Sequence, residues 1–552
     1  MFNAARGAAR GTIGTLGLKG ESLLRIPLKD LPEQYTLAQL QQLWETDNIE
    51  DLESLLILDS CLAIPDRLVS QVGDAEITKD LSLRVANIIL PDGSIILQDD
   101  APDEHNTTSR DKAIIHVRRK ANLGIPLLNT LLLGLPSSRP SSLPEPILLT
   151  LISFSSPSPY APWTSPSLSC VASDILAKYT IQTLTLPFLS AHLLTTIIRP
   201  LFSVSKPETI TSSGRKAMTP SAPQRTGTEN LQRSRKPWKY EAVYSIAVFA
   251  WVVDNIPASL ISQTWHLFTP PVLTLLDDPS TPIRIQGSQI LSRFLPHMSA
   301  TLLSQSGLGE LFEDALTPTL LFLPNLTPLE ESLELLPAAY NALMVLCDVR
   351  FPEPKQDVST STNLTVRHAE EAKAEVPDVK KERLAFLDRV MRNGIVTSYS
   401  YAQEHPSIIS ILLRQLGIIL PKLGIHAVKH IRDILPIVTL ILTNPFSPSQ
   451  TPLLLSAILA LRAIVLNAWP RLLTQDMYRL EVLKSLCMCW QNVLRDDGDM
   501  ERKEEKIEEV KKEMRVVGEM MIKAGEAAGV GIRVEVERLV EGVPEVGGLF
   551  GM

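Results

Sequence analysis

Residues 270–296, PPVLTLLDDPSTPIRIQGSQILSRFLP, are the most informative part of the sequence about its fold. Apolar residues recur at helical spacing after Pro271, which suits the first position of a helix because proline has no N–H to leave unpaired. The acidic pair Asp277 and Asp278, followed by a proline, indicates a helix end, and a second helix is predicted to open at Ile283. Its apolar face is formed by Gly287, Leu291, Phe294 and Leu295. The stretch therefore predicts two amphipathic helices joined by an acidic turn.

The order of residues in this stretch resembles a HEAT repeat unit, in which two helices approach at a small residue and Asp and Arg link neighbouring turns. On that resemblance, the structural residues of the turn are Asp277, Asp278, Arg284 and Gly287. An alternative role for the acidic pair is to bind Mg²⁺, but a HEAT turn favours a helix cap or a contact with Arg284. Because one helix pair cannot bury its second face, neighbouring pairs are predicted.

A second helix pair follows at about the 40-residue period that is typical of HEAT-type repeats. Residues 307–323 predict its first helix. The start of its second helix is predicted to be a capping box, in which the side chains of Thr327 and Glu330 each satisfy a backbone N–H and Pro328 takes the first helical position. We therefore predict an all-α, HEAT- or armadillo-like helical-repeat solenoid with long disordered loops.

Composition agrees with a long helical array and argues against a protein whose main partner is nucleic acid. The chain has 552 residues, of which 45% are hydrophobic and only 5% aromatic, so aliphatic side chains must fill the core. Its formal net charge is −8, whereas binding of a phosphate backbone requires clustered positive charge. The basic stretch 204–237 leaves one alternative, a scaffold that associates with nucleic acid through this arm, although the arm has no aromatic residues to stack on bases.

The cysteines indicate a reducing compartment. None of them forms a C-x-x-C pair: Cys61, Cys170, Cys347, Cys487 and Cys489. A chain of this length does not need disulfides to stabilise its fold. We therefore expect a cytoplasmic and nuclear protein.

Two apolar runs approach the length of a membrane span, residues 179–198 and 434–461. The first contains polar residues such as Gln182 and His192, and the second is interrupted at Pro445. Because polar groups are costly in hydrocarbon, both runs are predicted to be buried helices of a soluble protein that does not bind membranes.

Composition divides the chain into six predicted segments. They are an N-terminal helical-repeat region at 1–203, a flexible basic linker at 204–237, a central HEAT-like core at 238–350, a flexible charged linker at 351–385, C-terminal helical repeats at 386–528 that end in a charged amphipathic helix, and a tail at 529–552. The linkers are predicted to be flexible because they have few apolar residues to bury. The tail is predicted to be either docked or free.

The charged C-terminal helix has a narrow apolar seam with the spacing of a coiled coil. The seam consists of Ile507, Val510, Met514, Val517 and Met521. Two roles are open for it: a docking site for a partner helix, and a terminal helix that caps the repeat array.

Searches for catalytic motifs give no candidate. The sequence has no dinucleotide fingerprint, no phosphate loop and no Gly-x-Ser-x-Gly elbow. His426 and His430 have the spacing of one helical face, but no third metal ligand is near them in sequence, so surface or capping histidines are favoured. We therefore expect a protein that is not an enzyme and that has no metal or other cofactor.

The segment from Trp238 to Arg350 resembles the Tti-two family (Tel-two-interacting protein two). The resembling pieces are Pro237-Trp238-Lys239, PPVLTLLDD at 270–278, the helix around Gly287, GLGELFEDAL at 307–316, LPNLTPLEES at 323–332 and residues 337–340. The resemblance implies a helical solenoid without an active site, which joins Tel-two and Tti-one proteins in the three-protein TTT complex. It further implies a role, with the Hsp-ninety chaperone, in maturation of phosphatidylinositol-3-kinase-related kinases such as TOR, ATM and ATR, and hence in DNA-damage, telomere and growth signalling.

Overall fold

The computed structural model describes most of the chain. The described residues are 2–16, 25–44, 51–93, 104–134, 142–158, 160–203, 236–352, 379–495 and 501–552. Most of the predicted linkers 204–237 and 351–385 lies outside these ranges, so their predicted flexibility stays a prediction. The chain divides into two compact units, Met1–Leu275 and Leu276–Met552.

The described part of the first unit is helical. Its helices are α1 (Asn3–Leu16), α2 (Leu37–Gln41), α3 (Asp51–Leu62), α4 (Asp74–Ile89), α5 (Glu104–Asn129), α6 (Glu145–Phe154), α7 (Pro166–Ala177), α8 (Thr180–Thr183), α9 (Arg199–Ser203), α10 (Pro237–Tyr240), α11 (Ser245–Asn255) and α12 (Ala258–Leu276), which ends at the unit boundary. A π-helix, Pro187–Ile198, leads into α9. A single isolated β-bridge, between Tyr35 and Leu68, occurs among the described residues.

An aromatic core joins the helices on the two sides of the predicted basic linker. The rings of Phe202 and Trp238 stack with centroids 5.1 Å apart, and Trp238 is fully buried. Phe249 lies 6.4 Å from Phe202 and 5.9 Å from Phe268, so the contact continues into α11 and α12. Aromatic pairs at these distances add to the free energy gained from burial alone.

The described part of the second unit is also helical. Its helices are α13 (Thr281–Phe294), α14 (Ala300–Ser306), α15 (Leu308–Leu316), α16 (Leu329–Arg350), α17 (residues 379–389), α18 (Thr397–Tyr401), α19 (Pro406–Leu423), α20 (Ile431–Thr443), α21 (Thr451–Thr474), α22 (Asp476–Arg495), α23 (Glu501–Ala527), α24 (Ile532–Gly542) and α25 (Gly547–Phe550). A π-helix, Val390–Val396, connects α17 to α18.

The second unit stacks helix pairs in two layers. In one layer α13 packs against α16, α16 against α19, α19 against α21, and α21 against α23. The other layer supplies the first helix of each pair, and there α20 packs against α22. Each amphipathic pair covers the apolar face of the next one, which is how helical-repeat arrays are stabilised. The predicted all-α helical-repeat fold is therefore confirmed for the described residues.

Because helices accommodate prolines here, the predicted starts of α12 and α13 were wrong. α12 begins at Ala258 and contains Pro270 and Pro271, so Pro271 is not at a first helical position. The helix continues through both prolines because apolar side chains before and after them are buried, and this packing outweighs the lost hydrogen bonds. α13 begins at Thr281 rather than Ile283, because the intervening proline is tolerated in a first helical turn.

The predicted charged linker, residues 351–385, includes residues at its C-terminal end that are helical in the structure. α17 is helical from residue 379, inside the predicted range 351–385. Phe386 is fully buried near the end of this helix and contacts Phe351 edge to face, with ring centroids 6.1 Å apart. Because the residues before Phe386 are mostly polar, the sequence did not predict this helix, whose buried residues are Phe386 and Leu387.

Four of the five residues of the predicted C-terminal seam are buried inside the chain. Val510, Met514, Val517 and Met521 are inaccessible to solvent, whereas Ile507 is half-buried, and α23 packs against α21, α22, α24 and α25. This burial favours a capping helix, because a buried seam cannot receive a partner. The tail is docked: Leu549 and Phe550 are buried, and the indole N–H of Trp490 donates to the Glu545 carbonyl at 2.9 Å.

Three helical segments among the described residues are long and apolar enough, by composition alone, to cross a membrane. They are Leu329–Arg350, Pro406–Thr443 and Ser447–Thr474. Buried positions make up 56%, 56% and 61% of their apolar windows. Packing against neighbouring helices therefore uses much of this apolar surface, and the expected lack of membrane binding stays a prediction.

Candidate functional site

Arg284 holds the turn between α12 and α13 and also reaches the next helix pair. Its Nε donates to the Asp278 carbonyl oxygen at 2.7 Å, and its Nη1 donates to Thr319 Oγ1 at 3.1 Å. The guanidinium lies over Phe322, 4.5 Å from the ring centroid, where a cation is attracted to the π face. One arginine therefore connects two consecutive helix pairs.

The predicted contact between the acidic pair and Arg284 is made through backbone and charge. Asp278 is buried, and its carboxylate accepts a hydrogen bond from the Ser280 backbone N–H at 3.0 Å, whereas Asp277 is exposed. Burial lowers the pKa of Arg284, and the negative charges of Asp277 and Asp278 act in the opposite direction. In this geometry the acidic pair serves the turn itself.

Gly287 lies among the buried residues of α13, the helix that packs against α16. A residue without a side chain allows neighbouring helices to approach closely. The predicted role of Gly287 in that approach agrees with its burial and stays a prediction.

The structure does not form the predicted capping box at Thr327 and Glu330. α16 begins at Leu329, and Pro328 takes the cap position without a side-chain hydrogen bond. Pro328 has φ −51° and ψ 141°, an extended conformation outside the helix. Proline has no side-chain acceptor, so the first N–H groups of α16 receive no cap from it. Thr327 is buried and Glu330 is exposed.

A capping box does occur at α2, where sequence reasoning missed it. Thr36 Oγ1 accepts from the Gln39 N–H at 3.4 Å, and Gln39 Oε1 accepts from the Thr36 N–H at 3.1 Å. The signal was present in the sequence as Thr-x-x-Gln before apolar residues.

An ion cluster around the buried carboxylate of Glu313 links three helices of the second unit and was not predicted from the sequence. Glu313 of α15 is buried, and its carboxylate accepts two hydrogen bonds from Arg389 of α17, at 2.6 and 2.9 Å. Arg350 of α16 donates to the same carboxylate at 3.3 Å. A carboxylate held in this two-pronged way is geometrically specific, so the cluster fixes α15, α16 and α17 to one another.

Gly309 makes room for this cluster. A Cβ added at Gly309 would lie 2.9 Å from Cδ of Arg350. These charged residues are far apart in sequence, and no local spacing rule connects Glu313 with Arg389. Only the folded chain shows that they meet.

His430 is a buried structural histidine rather than a surface one. Its Nε2 lies 2.8 Å from Asp388 Oδ1, and Lys429 also pairs with this carboxylate. His426 remains exposed. Among the described residues, no group of three or more His, Cys, Asp or Glu side chains is placed to hold a metal ion.

A surface cavity of about 700 Å³ lies in the first unit. Trp44, Arg84, Lys120, Glu241 and Tyr244 are among its lining residues. The Arg84 guanidinium lies over the Trp44 ring at 5.4 Å, so part of the positive charge is already engaged. Among the described residues that line it, none is Ser, Cys or His, and Lys120 pairs with Asp51 at 3.4 Å.

Comparison with known proteins gives one family and a weak structural likeness. The model of the Tti2 family matches residues 147–449. Two solved structures of the karyopherin Kap121p are similar, one bound to the extreme C-terminus of the protein phosphatase Cdc14p and one bound to the SUMO protease Ulp1p. Their sequence identities are 11% and 12%, with TM-scores of 0.25 and 0.24.

Each karyopherin alignment covers 89% of this chain, which spans 56% and 55% of the two karyopherin chains. The chain therefore corresponds to about half the length of the karyopherins it matches. At TM-scores this low, the likeness carries no inference about binding or activity.

Proposed function

Because this chain belongs to the Tti2 family, whose model matches more than half of its residues, we propose that it is a non-catalytic adaptor subunit of a TTT complex. Its direct partners in this proposal are a Tel-two-like and a Tti-one-like protein. The family match over residues 147–449 is the observation that carries the proposal.

The finer role follows from the resemblance alone. The assembled complex would act with the Hsp-ninety machinery to mature and stabilise phosphatidylinositol-3-kinase-related kinases, including TOR, ATM and ATR. The subunit would work in the cytoplasm and nucleus, and its loss would weaken DNA-damage, telomere and growth signalling.

The mechanism we propose is presentation of a rigid surface. Stacked helix pairs order their surface residues before binding, so association loses little further backbone entropy. The Glu313–Arg350–Arg389 cluster and the Arg284 turn support such rigidity, because each ties consecutive helices together. The partner then meets a surface whose shape is already set.

Affinity purification of the tagged full-length protein from its own cells, followed by quantitative mass spectrometry, tests this proposal. We expect a Tel-two-like and a Tti-one-like protein in amounts close to that of the bait, before and after nuclease treatment. Recovery of nucleic acid without either protein, with binding that weakens steeply as salt is raised, would instead support the scaffold that uses residues 204–237.

A further inference from the structure

Three successive helix pairs of the second unit carry an exposed apolar side chain beside the turn between their two helices. Leu326 lies in the turn before α16, Tyr401 ends α18 at the turn before α19, and Phe446 lies in the turn before α21. Their side chains are 90%, 61% and 76% exposed. Large apolar groups that recur at equivalent positions are more informative than scattered ones, because repetition along an array creates a continuous surface.

Hydrogen bonds between the helix pairs place these three turns next to one another on one edge of the stack. Asn325 Nδ2 donates to the Tyr401 carbonyl at 3.2 Å, which joins the first turn to the second. The hydroxyls of Ser410 and Ser456 lie 2.9 Å apart, which joins the start of α19 to the start of α21. We call Leu326, Tyr401 and Phe446 together the apolar ridge.

The backbone of each turn is held by local hydrogen bonds. The N–H of Leu326 donates to the Leu323 carbonyl at 2.9 Å, and the N–H of Phe446 donates to Asn444 Oδ1 at 3.0 Å. In the middle turn, the N–H of His405 donates to the Ala402 carbonyl at 3.0 Å. The ridge is therefore pre-organised, which reduces the entropy lost on binding.

The charge beside the ridge is negative. Residues 317–332, 397–409 and 440–454 are all described, and their charged side chains are Glu330, Glu331 and Glu404, with His405 as a further titratable group. They include no Lys or Arg. Arg284 reaches this edge from the preceding turn, but its guanidinium is stacked on Phe322 and bonded to Thr319.

We propose that the apolar ridge docks an amphipathic α-helix of a protein partner, with apolar residues at seven-residue intervals and Lys or Arg on their flanks. Packed helices lie about 8–10 Å apart, so neighbouring turns of the stack repeat at about that distance. Seven residues of an α-helix rise about 10.5 Å, so one helix laid along the edge places one apolar side chain at each turn. The basic flanks face Glu330, Glu331 and Glu404. This inference rests on the proposed function in that the partner is a subunit of the same assembly.

The first test uses a designed probe and the full-length protein. The probe is a fluorescein-labelled 22-residue helical peptide with Leu at positions 4, 11 and 18 and with Lys and Arg beside them. We expect saturable binding by fluorescence anisotropy. The triple variant Leu326→Ser, Tyr401→Ser, Phe446→Ser should bind at least about 100-fold more weakly, because three apolar contacts are lost.

Matched controls distinguish binding at the apolar ridge from non-specific hydrophobic binding. Met477, in the first turn of α22 just beyond the opposite end of α21, is 69% exposed, so Met477→Ser should leave binding unchanged. A peptide with Leu at positions 4, 9 and 14, and one with Glu in place of Lys and Arg, should bind at least about tenfold more weakly than the probe. Equal binding by the triple variant, or no binding of the probe by the wild-type protein, would overturn the inference.

The second test repeats the affinity purification with the same variants. Partners retained by the Met477→Ser protein and lost from the triple variant would support the ridge, since both proteins should show the same helical circular dichroism and melting temperature. If the wild-type protein recovers its partners and the triple variant does too, the ridge inference fails while the proposed function stands. If the wild-type protein recovers no partner, the proposed function fails and the peptide experiment alone decides the ridge.

Discussion

At the scale of single residues, Arg284 shows which contacts can be predicted from the neighbouring sequence and which cannot. Its position after a helix and an acidic turn predicted a contact with the preceding turn, and its Nε does bond the Asp278 carbonyl. The same side chain also bonds Thr319 and stacks on Phe322, about forty residues later. The turn itself was predictable because its residues are neighbours in sequence, whereas the longer link depends on the stacking of helix pairs.

Leu276 provides a direct test of the buried interior at this turn. Its side chain is completely buried, so Leu276→Ala should destabilise the protein by about 2–5 kcal/mol through lost apolar contact and a cavity. Leu326→Ala is the matched control, because Leu326 is almost fully exposed and the same truncation should cost under about 0.5 kcal/mol. Chemical denaturation followed by circular dichroism measures both. Equal midpoints for the two variants would contradict the burial of Leu276.

The cysteines should differ in reactivity, because burial disfavours the thiolate that attacks electrophiles. Burial raises the pKa of Cys61 and Cys489 to about 12, and that of Cys347 and Cys487 to about 11. Cys170 is exposed. At pH 8 the native protein should therefore show one fast reaction with a maleimide, at Cys170, a slower one at the half-buried Cys487, and reactions of the three buried cysteines only after unfolding. Peptide mapping identifies the site, and loss of the fast reaction in Cys170→Ser is the control.

At the scale of helices, the sequence predicted the presence of the helices more accurately than the residues at which they begin and end. Prolines caused the boundary errors at α12 and α13, because sequence reasoning places a proline at the start or break of a helix. In the structure, prolines lie inside long helices: Pro270, Pro271, Pro337, Pro421, Pro436 and Pro470. Neighbouring helices bury the apolar faces of these helices, and this gain exceeds the local cost of each proline.

Glu313 should matter more than any single surface charge, because it connects three helices. Glu313→Ala leaves the guanidinium of Arg350 without its buried acceptor. We expect a loss of about 2 kcal/mol, less than for a fully buried pair because Arg389 is half-exposed and can be hydrated. Glu310→Ala removes an exposed carboxylate near the same arginine and should cost under about 1 kcal/mol. A cost for Glu310→Ala as large as that for Glu313→Ala would argue against the cluster.

The docked tail should protect α23 from local opening. Leu549 is fully buried, and its carbonyl would lie 2.9 Å from a Cβ added at Gly518 of α23. Leu549→Ala should therefore speed hydrogen–deuterium exchange in α23 and lower stability by about 2–4 kcal/mol. Met552→Ala, at a half-exposed position three residues later, should change neither quantity. Unchanged exchange in α23 after Leu549→Ala would mean that the tail does not cap this helix.

At the scale of the whole molecule, the chain forms two compact units. The Tti2 family match runs from residue 147 to residue 449 and so includes the residues on both sides of the boundary at Leu275 and Leu276. The predicted segment limits at 238 and 386 do not coincide with that boundary. Composition marks polar segments, whereas compactness depends on which helices pack together.

The division of the chain into two compact units predicts a departure from two-state unfolding. Differential scanning calorimetry of the full-length protein should give a calorimetric enthalpy larger than the van't Hoff enthalpy. Leu549→Ala should shift one component of the transition more than the other, because Leu549 is buried and belongs to the second unit. A single symmetrical transition with equal enthalpies would contradict this prediction.

The local sequence was enough to predict a stack of amphipathic helices, because helical periodicity and turn chemistry are set by residues within a few positions of one another. It also pointed to the family. The packing of the folded chain was needed to show that the C-terminal seam is covered by other helices of the same chain, that Glu313 meets two arginines, and that Leu326, Tyr401 and Phe446 share one edge. These features join residues that are tens of positions apart, and no local pattern specifies which distant faces come together.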